Sequence, residues 1–373
     1  MSQVPTFDPL RPFNDLPLLP PNADIETRAV LKQCIEARSA LAELKQAGAL
    51  VPNQDVLIQT IPVREARDSS AIENIVTTED ELFRYAATLD KDADPNTKES
   101  ARYRMALMDG CRQIRTRPLT TATAVNVCQM ILGVELDIRT GAGIALRSSA
   151  TGRIIHTPPE GERRLRDQLG NWERFLHERT NIDPLVRMAV GHYQLEAIHP
   201  FTDGNGRTGR VINILYLIDQ SLLDIPVLYL SRYIIEHRDD YYRLLLDVTA
   251  RDQWEPWILY MLNAVESTAR WTTAKIRAIK ELLDHTSDYA GRVRPKVYSR
   301  ELIELIFVQP YCRIGHLTDA GVARRVTASR YLKELCAIGV LSEVKHGRDK
   351  LFIHPKFLDL LKDEDHRFEP YRL

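Results

Sequence analysis

The 373-residue sequence has almost no net charge: 50 Lys and Arg against 51 Asp and Glu leave −1 at neutral pH. No global field draws the chain to nucleic acid or a membrane surface, so any such binding has to come from a local patch. Cysteine is scarce. The five residues, Cys34, Cys111, Cys128, Cys312 and Cys336, are odd in number and never stand in CxxC spacing. That argues against a disulfide framework or a zinc site and suits a reducing compartment. No apolar run approaches the roughly 20 residues that span a bilayer, and no internal repeat is found. The opening stretch MSQVPTFDPLRPFNDLPLLPP carries six prolines and lacks the basic region and apolar core of a secretory leader. These absences predict a cytoplasmic protein without a membrane partner.

What is present is an ordinary globular composition, 44% hydrophobic and 27% charged, in a chain long enough for two or three domains. Residues 1–23 read as an extended Pro-rich arm. Residues 24–116 read as helical, with ETRAVLKQCIEARSALAELKQAG ending on the stop signal Gly48 and DADPNTKE (92–99) as a loop. Residues 117–260 read as a second helical unit. It is interrupted by IALRSSATGRIIHTPP (144–159), where a turn at Thr151-Gly152 between two β-like arms predicts a hairpin. TTAKIRAIKELLDHTSDY (272–289) reads as a linking helix within 261–297, and RVRPKV (292–297) marks a boundary. The last unit, 298–373, reads as three helices followed by a β-like pair.

The densest cluster of chemistry is HPFTDGNGRTGR, 199–210. DPLVRMAVGHYQLEAI precedes it as a helix capped by Asp183 with Pro184 at its first position, which stops near His199 because Pro200 follows. RTGRVINILYLIDQSLL continues it as a new helix. GNGRTG imitates the GxGxxG of dinucleotide-binding folds, and Asp224 stands 20 residues after Gly204. That motif needs a strand before its first glycine, and here a helix and a proline stand there. A P-loop fails because no Lys-Ser or Lys-Thr follows. A plain turn explains the glycines but not His199, Asp203, Arg207 and Arg210.

The remaining reading is an anion hole. Gly204 and Gly206 let successive N–H groups turn inward as a nest. The nest opens on a helix N-terminus, where unsatisfied N–H groups and the macrodipole favour negative charge. Arg207 and Arg210 add fixed charge and bidentate contacts to phosphate oxygens. Asp203 suits Mg²⁺, which commonly takes one carboxylate plus substrate phosphates. His199, at the edge, suits a general base. The parts describe phosphoryl or nucleotidyl transfer, where positioning and charge neutralisation carry most of the catalysis.

HPFTDGNGRTGR resembles the Fic family signature HPFxDGNGRxxR, with all nine fixed positions matched. The resemblance implies a mainly α Fic-type helical bundle with a β-hairpin flap. It also implies transfer of AMP from ATP, with Mg²⁺, to a hydroxyl side chain of a target protein or of the chain itself. His199 would be the base, and Asp203 would hold the metal. Gly204, Asn205 and Gly206 would form the hole; Arg207, Thr208, Gly209 and Arg210 would complete the ATP site, with Arg210 on the γ-phosphate. The hairpin, with Ile154, Ile155 and His156, is similar to the family's flap, which docks the target by β-augmentation. SRYIIEHRDDYYRLLLDV (231–248) resembles the stretch closing the nucleotide pocket, with Tyr241 as its base-side contact.

SSAIEN, 69–74, fits two patterns. Ser70 to Glu73 is S-x-x-E, a helix capping box. Ser69 to Asn74 also resembles the family's inhibitory motif [S/T]xxxE[G/N], which implies a brake on a helix near 69–80: Glu73 would pair with Arg210 and displace the γ-phosphate, with Ser69 and Asn74 completing the motif. The 298–373 unit resembles a winged helix, with Asp319-Ala320-Gly321 as the turn, Thr327 as N-cap of the second helix, and Lys345, Arg348 and Lys350 on the wing. Residues 292–350 hold twelve Lys or Arg against six Asp or Glu, a local excess able to contact DNA phosphates. Three functions follow: an autoinhibited adenylyltransferase, which can form a homodimer and can also remove AMP; a nucleotide-sensing DNA-binding regulator; and a toxin-like activity.

Overall fold

The computed structural model describes residues 7–147, 152–346 and 349–372. The N-terminal region contributes four helices: α1 (Arg28–Ala49), α2 (Asp55–Ile72), α3 (Glu79–Thr88) and α4 (Pro95–Gln113). Next come α5 (Thr121–Leu132), the hairpin strands β1 (Leu146–Arg147) and β2 (Ile154–His156), and helices α6 (Glu162–Glu178), α7 (Pro184–Ile198), α8 (Asn205–Asp219), α9 (Leu230–Glu236) and α10 (Arg238–Arg251). A 40-residue helix, α11 (Trp254–Val293), leads to α12 (Arg300–Val308), β3 (Tyr311–Cys312), α13 (Ile314–Asp319), α14 (Arg325–Ala337), β4 (Ser342–His346), β5 (Asp349–Ile353) and α15 (Pro355–Lys362).

The fold is mainly α. On α1, Val30, Cys34, Ala37, Leu41 and Leu44 recur at helical spacing and are buried, so α1 lies along α11 as one apolar stripe against another. Gly48 does not stop α1; it lies inside the helix, 3.5 Å from Ile225 as seen from a modest Cβ. Part of the expected loop at 92–99 is helical: Asp94 caps the amides of Asn96 and Thr97, and Pro95 fills the first position of α4. A boundary at 260 falls inside α11, which runs unbroken through the separate linking helix expected at 272–289.

α2 is the central helix. Its charged residues Arg64, Glu65 and Asp68 are buried together with its apolar ones, which a surface helix would not tolerate. Each is answered by a partner. Glu65 accepts from Tyr103 and from Ser231. Arg64 donates to the carbonyl of Leu361 and pairs with Glu79. Lys275 of α11 donates to the carbonyls of Leu360, Asp363 and Asp365, so the chain after α15 is tied to the centre of the molecule. Burial pushes the Lys275 ammonium down to about 8.

The Pro-rich arm is docked rather than free. Phe13, Leu16 and Leu19 are buried, and Leu19 exchanges two hydrogen bonds with the Asn171 side chain. At the other end, β3, β5 and β4 form an antiparallel sheet in that order. The expected β pair is present as β4–β5; β3 and α15 are additional. Helix α14 starts at Arg325 with Arg324 as its cap, so Thr327 lies inside the helix. Arg348 lies outside the described residues.

Candidate active site

The junction of α7 and α8 makes the site. α7 ends as His199 adopts a left-handed conformation, φ 50°, which an L-residue with this ring holds only under local constraint. α8 begins after Gly204, also left-handed at φ 78°, where a side chain would be strained. Between them the Asn205 amide clamps the loop, accepting from the Phe201 N–H and donating to the Phe201 carbonyl, both at 2.9 Å. Among the described residues no protein acceptor hydrogen-bonds the N–H groups of Asn205, Gly206 and Arg207, the unpaired amides of the first turn. They leave three donors free at a helix N-terminus, whereas Gly204, expected beside Asn205 and Gly206, gives its own N–H to the Asp203 carboxylate.

Two carboxylates from the N-terminal helices sit on the two arginines of α8. Glu73 Oε1 lies 3.0 Å from Arg210 Nη2. The same guanidinium donates through Nε to the Ser69 hydroxyl and through Nη2 to the Ser69 carbonyl, both at 2.8 Å. Arg210 is fully buried. Burial works against its charge, but Glu73, ahead of the Tyr241 and Tyr103 phenols, more than offsets this and raises its pKa. A Cβ at Gly206 would collide with the Glu73 carboxylate. Independently, the buried Arg207 pairs with Glu99 of α4 and sits 3.7 Å from Asp203.

The local fold explains the SSAIEN pattern. Ser70 and Glu73 lie at the C-terminal end of α2, so they are not an N-terminal capping box; that device occurs at Thr78 and Glu81 on α3. Asn74 is left-handed at φ 62°. Its N–H bonds the Ala71 carbonyl, and the Ile75 N–H bonds the Ser70 carbonyl, each at 3.0 Å. This is a Schellman stop, which explains why Asn, like Gly, suits that position. Glu73, the cap residue, is thereby held over the first turn of α8. The expected helix near 69–80 is thus the end of α2, the Schellman turn and the start of α3.

His199 is half-buried, and its Nδ1 is buried without a partner. Burial first, then the charges of His156 and Arg139, push its pKa down to about 3 against the opposing backbone carbonyl of Glu196. The imidazole is therefore neutral at physiological pH. Glu196, one turn earlier, is pushed up to about 7 by burial, an effect Glu73 adds to and Arg210 opposes. A Cβ at Gly209 would stand 2.8 Å from the Glu196 carboxylate, which accounts for glycine there.

The hairpin is seated beside His199 by a residue the sequence reading overlooked. Arg139, itself buried, donates to the carbonyls of His199 (2.7 Å), Ile198 (3.2 Å) and Pro159 (2.6 Å). Ile154 and Ile155 are half-buried on β2. His156 is buried instead: its Nε2 lies 3.2 Å from the Ala197 carbonyl, and its ring packs against Phe7 and Phe13 of the arm. It anchors the flap and offers no side chain to a target. The turn residue Thr151 lies outside the described residues.

Two other assignments change. Tyr241 is buried with its hydroxyl on His192 Nε2 at 2.8 Å, inside an aromatic cluster with Trp257; it is a packing residue. Its neighbour Tyr242 is half-buried, and its phenol, pushed up to about 12 by burial and then Glu73, borders the site. Thr208 is fully buried and its N–H bonds the Gly204 carbonyl, so it offers nothing to a ligand; the Asn205 side chain is committed to Phe201, which leaves its backbone N–H for the hole. Neither Arg139 nor Glu99 carries a sequence signal, since a lone charged residue does not announce a partner distant in the chain.

Among the described residues no group of three or more His, Cys, Asp or Glu could hold a metal. Asp203 is 74% exposed at the mouth of the hole, with one oxygen accepting from the Gly204 N–H at 2.6 Å. A single accessible carboxylate fits an ion that arrives with a polyphosphate and takes its other ligands from phosphate and water.

Unpaired amides at a helix N-terminus, two guanidinium groups and a neutral imidazole thus meet in one place of a helical bundle, and the comparisons give the family of that bundle. The description "Fic/DOC family N-terminal" matches residues 31–112, "Fic/DOC family" matches 118–217, and "Protein adenylyltransferase SoFic-like, C-terminal domain" matches 282–357. The chain is 32% identical over 167 residues to protein adenylyltransferase fic-1 of Caenorhabditis elegans, covering 44% of this chain and 30% of that protein. It is 26% identical over 156 residues to protein adenylyltransferase Fic of Nematostella vectensis, covering 41% and 34%. The chain thus spans about a third of the length of the curated relatives it matches. A solved Fic family protein from Desulfovibrio desulfuricans G20 shares the fold, with a TM-score of 0.57 and 21% identity over 88% of this chain and 96% of that one. The chain belongs to the Fic/DOC family.

No helix among the described residues is long and apolar enough to cross a membrane.

Proposed function

We propose that the chain is a cytoplasmic, Mg²⁺-dependent protein adenylyltransferase restrained by its own Glu73. ATP would lay its phosphates on the amides of Asn205, Gly206 and Arg207. Arg207 would contact the inner phosphates and Arg210 the γ-phosphate. Asp203 would hold Mg²⁺, which supplies charge neutralisation on the phosphates when bound. A target segment adding to the β2 edge would present a Ser, Thr or Tyr hydroxyl beside His199. The hydroxyl oxygen attacks the α-phosphorus, the bond to the pyrophosphate oxygen breaks, and neutral His199 takes the hydroxyl proton. Run with water on the modified target, the same site would release AMP.

The observation that carries this reading is the Glu73–Arg210 pair at 3.0 Å beside three unanswered amides. A carboxylate there competes with phosphate for one guanidinium. A nucleotide sensor that regulates DNA binding is not favoured, because sensing requires no unprotonated imidazole at the rim. The C-terminal unit reads as a winged helix, in which exposed Arg324, the cap of α14, and Arg325 and Arg330 of the helix support contact with DNA phosphates. Lys350 of the wing pairs with Glu343 instead. A steep salt dependence of duplex binding tests that contact. Self-modification and a homodimer complete the reading of partners.

The function is tested by incubating wild type, Glu73→Gly and Glu73→Gly/His199→Ala with ATP labelled at the α-phosphate and Mg²⁺. Label is expected in Glu73→Gly protein above wild type and absent from the double variant. Equal labelling of the double and single variants removes His199 from the base role.

A further inference from the structure

A cavity of about 200 Å³ lies between α2, α3, α4 and the end of α12, away from the anion hole. Its walls are apolar, with Val63 and Ala66 from α2, Leu82 and Phe83 from α3, and Ala101 from α4. It exceeds the roughly 150 Å³ of an engineered apolar cavity that holds benzene.

One ionic side chain lines it, Arg104. Arg104 donates through Nη2 to the Gln59 amide oxygen, while its Nε is buried with no partner. Among the described residues no carboxylate pairs with it. One turn earlier, on the same face of α4, Ser100 is fully buried and its hydroxyl is also unpartnered. Arg104 is half-buried; a partly desolvated guanidinium without a counter-charge is costly, and a carboxylate accepts such a fork with well-matched geometry. At the mouth, Leu89 and Met105 are 71% and 56% exposed, and Leu89 is left-handed at φ 51°. A bulky apolar residue seldom holds that conformation unless the surroundings enforce it. Exposed apolar rim, apolar walls and an unanswered cation together describe a pocket for an amphiphilic anion rather than for inorganic phosphate.

We infer that this cavity binds a small organic acid, its apolar body among the α2, α3 and α4 side chains and its carboxylate on Arg104 and Ser100. The inference is independent of adenylyl transfer. The probes are phenylacetate and octanoate, with phenylacetamide as the uncharged counterpart, titrated calorimetrically into the full chain. At least one acid is expected to saturate, with phenylacetamide at least tenfold weaker than phenylacetate. Arg104→Met is expected to abolish the preference for acid over amide, and Ala101→Phe to abolish binding of both. The comparison of acid with amide on wild type needs no variant to fold. Equal affinity for acid and amide, no saturation by either acid at millimolar concentration, or an unchanged acid preference in Arg104→Met overturns the inference.

Discussion

Removing the Glu73 carboxylate should change affinity for ATP but not for ADP. Glu73 meets Arg210 at 3.0 Å while its own side chain is 34% exposed. A hydrogen bond to a charged partner is worth about 1.5–3 kcal/mol, and partial solvent screening places this one near the lower end, about 1.5–2 kcal/mol. ATP has to displace that contact to put its γ-phosphate on Arg210, so deleting it strengthens ATP binding by about 10- to 30-fold. ADP has no γ-phosphate and competes only for the inner part of the site. Isothermal titration of both nucleotides against wild type and Glu73→Gly measures the two differences directly. Equal gains for ATP and ADP, or none for either, refute the assignment of Arg210 to the terminal phosphate. Glu73→Gln is the volume-conserving control and should show most of the gain.

Glu99→Gln frees Arg207 instead, so ATP and ADP should gain alike, and the larger ADP-induced rise in Tm would show it; an ATP-only gain would mean that Arg207 does not serve the inner phosphates. Arg139→Met removes the contacts to the His199, Ile198 and Pro159 carbonyls and should cost about 2–4 kcal/mol. It should also speed amide exchange at 154–156, and unchanged exchange would contradict its role as the flap staple. His354 is buried, and burial pushes it down to about 3. Below pH 6.5 the unfolded chain takes up a proton that folded His354 refuses, so its contribution is present above 6.5 and lost as pH falls toward 3. His354→Asn, which keeps a cap for α15, should flatten the stability loss by up to about 1.4 kcal/mol per pH unit in urea melts between pH 6 and 4; an unchanged slope contradicts this.

The site was legible where one short segment carries both the chemistry and the backbone that shapes it. The glycines mark the turn and a helix is expected from Arg207; it begins two residues earlier, at Asn205, after a left-handed Gly204. SSAIEN was legible only through its family resemblance; the left-handed Asn74 that stops α2 and fixes Glu73 is a feature of the fold. What the sequence hid are contacts between distant segments. Arg139, Glu99, Arg64 and Lys275 carry no motif, and only tertiary packing gives them their partners. Tyr241 and Tyr242 are adjacent, and no periodicity over one short helix says which phenol faces the nucleotide and which faces His192. α11 runs through the boundary expected at 260, and Pro256 sits in its first turn, where proline is tolerated.

The most direct test is a crystal structure of Glu73→Gly soaked with Mg²⁺ and a non-hydrolysable ATP analogue, beside wild type treated alike. The account predicts the terminal phosphate on Arg210 in the variant, the inner phosphates on the amides of Asn205, Gly206 and Arg207, and Arg210 still on Glu73 in wild type. A nucleotide bound elsewhere, or an Arg210 that contacts no phosphate once Glu73 is gone, would contradict it.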